Sequence, residues 1–443
     1  MSTPRSPFGL WPCLSGDLTV YCQHFVLLGD HLKSILLALT IVLLNLTPDV
    51  LALAAEPGVP RDLLTPQAEV FLVTVGPGDL VWERFGHNGL VIRDKERGFN
   101  QIFHWGLFSF QSENFWPRYI RGEMLYAMGS IGADVFVQLN TESDRNVWVQ
   151  KLSLTTDQKN KLAHFLIEND TDASRTYRYD YYLDNCSTRV RDAIDQVLGD
   201  VIARALQGKE TGESFRSHTR RLLQGLPMAY LASQLVLGNP GDRDISIWEE
   251  TFTPMALRRH LNTVALEDGS PLVLSDRQIF HSKSIKEPTE IKSFLLIFSG
   301  IGFSLGLCFA VLGHFTTKGC RWSRVGLGLL GSLWGLLSGL VGTLLLLGWF
   351  FTEHRFWYWN ENLLQYNPLS LALAFLFPIL LLRGHLPRRA AQLSYAIVAL
   401  SVAGLLLQIL PGFDQVNGEI IALTLPVHVG LSWAAGRTQS FIG

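Results

Sequence analysis

The stretch RYDYYLDNCSTRVRD, residues 178–192, decides how the middle of this chain folds. Asp184 and Asn185 are residue types that cap helix N-termini, and apolar residues recur at helical spacing from Val190 onward. The sequence therefore predicts a helix that has Cys186 in its first turn and buries one apolar face. Because the thiol would lie in the first helical turn, we expect the helix dipole to lower its pKa.

The composition argues against a nucleic-acid partner and indicates a membrane protein. The chain has 443 residues, a net charge of -2 and 48% hydrophobic residues. A near-neutral balance argues against a nucleic-acid partner, which would require a basic surface. The apolar residues are concentrated in the last third of the chain, which indicates a membrane protein.

The N-terminal region, residues 1–55, is interpreted as an extension followed by a signal peptide. Lys33 precedes an apolar run over 35–46, and small residues at Ala52 and Ala54 offer a cleavage site. An uncleaved anchor helix is the alternative. In both cases the segment that follows lies outside the cytoplasm.

Residues 292–443 are predicted to form a transmembrane bundle of about five helices. The five apolar stretches are Ser293–Phe315, Val325–Phe351, Pro368–Leu382, Ala391–Leu410 and Glu419–Trp433. Basic residues lie between the first and second stretches, between the third and fourth, and after the fifth. The positive-inside rule places those loops in the cytoplasm and the segment before the first span outside it, as the signal peptide also requires.

Residues 56–291 form the predicted extracytoplasmic domain, of mixed α+β class. Strands are expected at Val70–Val75, Gly89–Arg93, Gln101–Leu107 and Val147–Leu152, with a hairpin loop at 94–98. A helix is expected over Thr155–Glu168, followed by the helix at Cys186 and a helical region to about Leu237. Residues 237–257 are expected to be irregular, and 267–286 to be a linker to the membrane.

Cys186 is the only cysteine of the predicted extracytoplasmic domain. It has no intramolecular partner there, so an inert buried thiol or an intermolecular disulfide are possible roles. The capping residues and the nearby Arg189 and Arg191 favour a third role, that of a nucleophile.

A nucleophilic cysteine requires a base, usually a histidine held by a third group. His87 lies in WERFGHNGLVIRD (82–94), at a turn before a strand, and His104 lies on the returning strand in QIFHWGLF (101–108). The hairpin would bring the two side chains together, one as base and the other as its orienting partner. One cysteine and two histidines make a weak zinc site, so neither a metal nor a cofactor is expected.

The segments RFGHN (84–88) and YDYYLDNCSTRVRD (179–192) resemble those of the Lnb family, bacterial membrane enzymes that N-acylate lipoproteins. Further segments resemble the same family: 108–126, 153–158, 248–257 and the loop TEHRFWYWNENLLQYNPL (352–369). The order His, His, Cys also resembles the circularly permuted papain-like NlpC superfamily. The position of His104 departs from the family pattern, which weakens its assignment more than those of Cys186 and His87.

The resemblance implies a multi-pass protein of the bacterial inner membrane whose catalytic domain lies on the periplasmic side. It implies that Cys186 takes an acyl chain from a phospholipid as a thioester and passes it to the N-terminal amine of a lipoprotein, with His87 and His104 assisting. The residues expected to bind substrate are Arg84, Asn88, Tyr182, Asn185, Arg189, Asn360, Glu361 and Asn362.

Two other functions remain open from the sequence. A membrane-tethered cysteine hydrolase (a peptidase, amidase or phospholipase) would use the same residues with water as acceptor. A receptor or scaffold would keep Cys186 as an inert thiol.

Overall fold

The computed structural model describes residues 64–439. The predicted signal peptide, its cleavage site and the boundary between residues 55 and 56 lie outside these residues. Nine strands are described: β1 (Glu69–Val75), β2 (His87–Asp94), β3 (Phe99–Leu107), β4 (Leu125–Gly132), β5 (Val147–Leu152), β6 (Thr176–Arg178), β7 (Glu210–Ser214), β8 (Asp244–Ser246) and β9 (Val273–Phe280).

Seven of these strands form one antiparallel sheet in the order β6-β4-β3-β2-β1-β5-β9, while β7 and β8 pair separately. The four strands expected from the sequence are all present in it. The β2–β3 hairpin forms as predicted, with Asp94 opposite Phe99 and Gly89 opposite His104.

Both faces of the sheet are covered, which explains the continuous apolar run in β1. Val70 and Leu72 point to a core shared with helices on one face, whereas Phe71 and Val73 point to a core on the other face. This two-residue alternation is the normal periodicity of a strand.

The helices outside the predicted membrane region are mostly short. They are α1 (Phe115–Arg121), α2 (Ala133–Glu142), α3 (Thr156–Asn169), α4 (Cys186–Leu198), α5 (Val201–Leu206), α6 (Phe215–Leu223), α7 (Pro227–Val236), α8 (Ile247–Glu250) and α9 (Pro254–Leu261). The helix at Cys186 and the helix capped by Thr155 are confirmed. The mixed α+β class is confirmed as well, and both histidine strands precede the cysteine helix in the chain, as in the predicted permuted order.

The prediction of a linker over 267–286 is wrong, because β9 lies within this segment and pairs with β5 at the edge of the sheet. Its sequence, VLSDRQIF, is half polar, since one side of an edge strand faces solvent. The stretch 237–257 is also more regular than expected, since it contains β8, α8 and the start of α9.

The remaining helices are α10 (Leu295–Thr317), α11 (Arg321–Phe351), α12 (Leu371–Leu376), α13 (Ile379–Arg383), α14 (Arg388–Leu407) and α15 (Gly418–Thr438). Within residues 64–439, four of them are long and apolar enough to cross a membrane, namely α10, α11, α14 and α15. The third predicted span, Pro368–Leu382, is one part of a bent pair: segments 355–364 and 368–383 meet at a bend of 52°. Counted as one crossing, this pair gives the predicted five spans.

Glycines of α11 show how the broken segment runs. A β-carbon added to Gly348 would lie 2.5 Å from the Trp357 ring, and one added to Gly331 would lie 2.2 Å from the Phe377 ring. Between these ends Gly342 meets the backbone of Asn367 just as closely, at 2.6 Å. The broken segment therefore runs antiparallel to α11 over most of its length, in a contact that only small residues permit.

The basic loops gather at one end of the bundle. The Leu386 N–H donates to the Thr438 carbonyl over 2.9 Å, and a β-carbon on Gly384 would lie 3.3 Å from the Arg324 guanidinium. At the other end the Phe294 N–H donates to Glu419. This separation agrees with the orientation predicted from the loop charges.

The sheet-containing part is attached to the bundle at that second end. Glu419 accepts hydrogen bonds from Arg220 and from the hydroxyl of Tyr230, over 3.0 and 2.8 Å. Phe356 packs into an apolar cluster with Phe215 and Phe252. The boundary placed between residues 291 and 292 from the sequence remains a prediction.

Candidate active site

Cys186 is the first residue of α4, and Asn185 holds the start of that helix. The Asn185 Oδ1 accepts from the N–H groups of Ser187 and Thr188, over 2.8 and 3.0 Å. Its Nδ2 donates to the carbonyls of Tyr181 and Phe252, both over 3.0 Å. One buried side chain thus fixes the helix start to two neighbouring segments, so the role supported for Asn185 is to position Cys186.

The sulfur of Cys186 lies at the end of the sheet, where β2 and β3 stop pairing. Their last paired residues are Gly89 and His104, and the N–H of Asn88, one residue earlier, donates to the sulfur. A β-carbon on Gly106 would lie 3.6 Å from the Cys186 Cβ. The thiol is therefore next to the peptide group that joins His87 to Asn88.

The Asn88 side chain ties β2 to α4. Its Nδ2 donates to the Ser187 hydroxyl over 3.0 Å, and this hydroxyl donates to the Thr251 carbonyl over 2.6 Å. Asn88 is fully buried. Its side chain therefore positions the sheet against the cysteine helix, and its backbone N–H reaches the sulfur.

His87 and His104 form a hydrogen-bonded pair, with His87 Nε2 and His104 Nδ1 3.0 Å apart. Both imidazoles also contact Phe136 of α2, at ring-centroid distances of 6.0 and 5.2 Å. Since His87 Nε2 is engaged with His104, His87 Nδ1 is the ring nitrogen left for a reacting group.

The thiol of Cys186 is neutral in this site. Burial raises its pKa to about 11, although three N–H groups, of Asn88, Cys186 and Ser187, and the charge of Arg145 act in the opposite direction. The expectation that the helix dipole would lower this pKa is therefore wrong for the net effect. The favourable N–H groups are present, but the cost of desolvating a thiolate is larger.

The two histidines are neutral as well. Burial, together with the nearby His104 and Arg145, holds the pKa of His87 well below its usual value. Burial lowers the pKa of His104 to about 4. The resting site thus combines a thiol with a neutral imidazole, which can accept a proton during a reaction.

Arg145 is a residue of the site that the sequence did not reveal. Its guanidinium is buried and donates twice to the Gly76 carbonyl, over 3.1 and 3.0 Å, while Glu83 lies 3.7 Å away. Its charge affects the pKa values of both His87 and Cys186. Arg145 lies in the turn between α2 and β5, where no sequence motif marks it as a site residue.

The two arginines expected to bind a phosphate are used within the fold. Arg84 donates to the carbonyls of Leu222 and Gly78, over 3.2 and 3.1 Å. Arg189 forms a bidentate ion pair with Asp184 and lies over the Tyr177 ring. Phosphate binding by these residues stays a prediction, and their contacts favour a structural role.

Tyr182, another predicted substrate residue, is buried among aromatic rings. Its hydroxyl is 2.6 Å from the Thr219 hydroxyl, and its ring stacks on Phe215 at 4.7 Å. Its position favours packing over contact with a substrate.

Asn360, Glu361 and Asn362 lie where the loop after α11 meets the end of α7. The amides of Asn360 and Asn362 donate to backbone carbonyls of residues 234–236 over 2.8–3.1 Å. Glu361 accepts from Gln408 over 2.5 Å. A role in substrate binding stays a prediction for these three residues, whereas the observed contacts fasten the loop to the sheet-containing part.

A metal site was also considered from the sequence. Across the described range 64–439, no group of three or more His, Cys, Asp or Glu side chains is arranged to hold a metal ion.

Comparison with known proteins identifies the domain that holds these residues. A family model described as the Lnb N-terminal periplasmic domain matches residues 61–224, which include His87, His104 and Cys186. Comparisons with curated proteins and with solved structures give no match.

Proposed function

We propose that this chain, whose residues 61–224 match the Lnb N-terminal periplasmic domain and which has four or five candidate membrane spans in its described residues, is a thiol-dependent lipoprotein N-acyltransferase of the bacterial inner membrane. The observation that carries this proposal is the position of Cys186 at a helix start, with its sulfur next to the N–H of Asn88. Asn88 directly follows His87, the residue that is hydrogen-bonded to His104. The family supports a role in lipoprotein maturation, and the geometry supports acyl transfer through a thioester.

In the first step Cys186 attacks the ester carbonyl of a phospholipid. His87 takes the thiol proton at Nδ1 while the sulfur forms a bond to the carbonyl carbon. The tetrahedral intermediate then collapses, the bond from carbon to the glycerol oxygen breaks, and His87 gives its proton to that oxygen. A thioester on Cys186 and a lysophospholipid result.

In the second step the amine of a lipoprotein N-terminus attacks the thioester. A carbon–nitrogen bond forms, the carbon–sulfur bond breaks, and His87 transfers a proton from the amine to the sulfur. An amide is formed and the thiol is restored, so no cofactor is consumed.

His104 would act as a positioning residue. For His87 Nδ1 to accept the thiol proton, His87 Nε2 must carry a hydrogen and donate it to His104 Nδ1. The lowered pKa of His104 supports this role, because a neutral imidazole keeps a lone pair for the bond. The 3.0 Å contact then fixes both the tautomer and the orientation of the base.

The N–H groups that surround the sulfur are candidates for an oxyanion site. The N–H groups of Asn88 and Cys186 act on the sulfur, and an acyl carbon bonded to it would bring its oxygen close to them. The N–H of Ser187 is engaged with the Asn185 side chain. The Tyr182 hydroxyl is not a candidate donor, because it is engaged with Thr219.

The membrane helices support lipid substrates. Both the phospholipid and a diacylated lipoprotein are held in the bilayer, and the catalytic part is fixed to the non-basic end of the bundle. A site at the bilayer surface lets both substrates reach one thiol without leaving the membrane.

The test is complementation of a bacterial strain whose lipoprotein N-acylation depends on a supplied gene. The full-length protein, Cys186→Ser and His87→Ala are expressed, with Cys320→Ser as the matched control at a thiol in the loop between α10 and α11. Mass spectra of a reporter lipoprotein's N-terminal peptide are expected to show a third acyl chain only with the wild type and Cys320→Ser.

Two results would count against the proposal. Acylation by Cys186→Ser would exclude the thioester. Release of free fatty acid by the wild type, without acylation of the reporter, would assign the same residues to a cysteine hydrolase.

A further inference from the structure

We propose that a surface of aromatic side chains and one isoleucine inserts into the periplasmic leaflet of the membrane and leads a lipid acyl chain to Cys186. This aromatic collar consists of the exposed Trp82, Trp116, Tyr119 and Ile120 and the half-buried Phe108 and Phe110. Its insertion does not require acyl transfer, whereas the delivery of an acyl chain to the thiol rests on the function proposed above.

The collar is unusually exposed for its composition. Trp116 and Ile120 of α1 are 57% and 63% exposed, and Trp82 is 49% exposed. Large apolar side chains gathered on one surface indicate a contact with another apolar phase or partner. Tryptophan and tyrosine are also the residues that favour the membrane–water boundary.

The collar is continuous with the membrane-spanning helix α11. This helix ends at Phe351, and two residues later the Glu353 N–H donates to the Arg121 carbonyl at the end of α1, over 2.7 Å. The ring of His354 is 2.9 Å, through Nε2, from the Tyr119 carbonyl. Helix α1 is thus fixed beside the point where α11 leaves the bilayer.

The choice of lipid as occupant follows from this position. Phe350 and Phe351, the last residues of α11, are 65% and 74% exposed, so the apolar surface of the span extends to the collar. Arg118 and Arg121 lie in the last turn of α1, at the level where lipid phosphates would be. A soluble protein partner would have to displace lipid from this junction.

The collar is also continuous with the thiol. Ring contacts link Trp116 to Phe110 at 5.6 Å, and Phe110 to Phe108 at 5.1 Å. Phe108 is two residues from Gly106, where an added β-carbon would be in van der Waals contact with the Cys186 Cβ, at 3.6 Å. An acyl chain lying along these rings would therefore end next to the residue that contacts Cys186.

The experiment uses full-length Cys186→Ala protein in nanodiscs of phosphatidylethanolamine and phosphatidylglycerol. The probe is a diether phosphatidylcholine with a diazirine in one alkyl chain, which cannot serve as an acyl donor because it has no ester carbonyl. After photolysis, mass spectrometry of peptides is expected to place lipid adducts on residues 107–121 at yields within about threefold of those on α10.

Leu274 of β9 provides the matched control, because it is 54% exposed at the opposite end of the sheet. We expect no adducts there, and we expect Trp116→Gln with Ile120→Gln to lower labelling of 107–121 at least fivefold while Leu274→Gln leaves it unchanged.

Adducts confined to the spanning helices would overturn the proposal, even if the wild type transfers acyl chains. Lipid adducts on the collar of a protein without acyltransferase activity would support the insertion and reject the proposed function. The Cys186→Ala protein with an intact collar gives these results even if the collar variants do not fold.

Discussion

The rate at which iodoacetamide alkylates Cys186, measured from pH 6 to 10, tests the protonation state of the site. The pKa of this thiol is raised to about 11 by burial. At pH 8 its thiolate fraction is therefore ~0.001, against ~0.24 for an ordinary cysteine with a pKa of about 8.5. This alone would slow the reaction roughly 240-fold.

The higher nucleophilicity of the Cys186 thiolate offsets part of this decrease in rate. A thiolate whose pKa is higher by about 2.5 is roughly 10- to 18-fold more nucleophilic. We therefore expect Cys186 to react about 20-fold more slowly than N-acetylcysteine in the same solution at pH 8. The rate should rise about tenfold for each pH unit up to pH 10, because the thiolate fraction does.

The assay follows the Cys186 peptide by mass spectrometry in full-length protein, so that the other cysteines do not interfere. A fast rate that is constant between pH 6 and 8 would reveal a stable thiolate–imidazolium pair and refute the reasoning. A slow rate without pH dependence would also refute it, because access of the reagent would then be limiting. Slow alkylation is compatible with catalysis, since His87 takes the proton only as the sulfur attacks.

Three further outcomes are expected. Because the pKa of His87 lies well below its usual value, the base stays neutral in mild acid, and kcat/KM for the phospholipid donor should change by less than about twofold from pH 8 to pH 6. A profile that falls to half its maximum near pH 6.5 would contradict this. Asn185→Ala removes a helix cap worth about 1 kcal/mol and two hydrogen bonds to backbone carbonyls, worth about 1 kcal/mol each. The thermal midpoint in detergent should therefore fall clearly more than for Thr155→Ala, which removes only an exposed cap. Equal shifts would contradict the role of the two additional hydrogen bonds. Gly122→Ala should lower the thermal midpoint more than Gly208→Ala. Both glycines have a positive φ, but only at Gly122 would the new β-carbon meet the backbone of another segment, 2.8 Å from the His354 nitrogen. Similar shifts would contradict this and show that the backbone at His354 moves aside at little cost.

The sequence predicted the parts of the fold that have a strong local signal. The run Val70–Val75 has no polar interruption except Thr74, and the cap at Asn185 is followed by a clear apolar stripe, so both elements were placed correctly. Strand β9 was missed because it is half polar and its partner, β5, lies more than one hundred residues earlier. Such pairing leaves no local pattern.

In the candidate site, too, the residues with a local sequence signal were predicted and those without one were missed. His87, His104 and Cys186 stood out through the hairpin and the helix cap, and the structure brings the two histidines into contact. The direction of the thiol pKa shift was predicted wrongly, because the dipole of a helix is a local property whereas burial depends on all the segments that surround it. Arg145 was missed for the same reason.

The contacts of Asn360 and Asn362 have a consequence for biogenesis. The carbonyls at the end of α7 are satisfied by side chains that lie 124 to 128 residues later in the chain. Glu419, which binds Arg220, is synthesised 199 residues after it. The translocated domain therefore cannot complete its folding when its own last residue emerges; it must wait until the later helices have been inserted into the membrane.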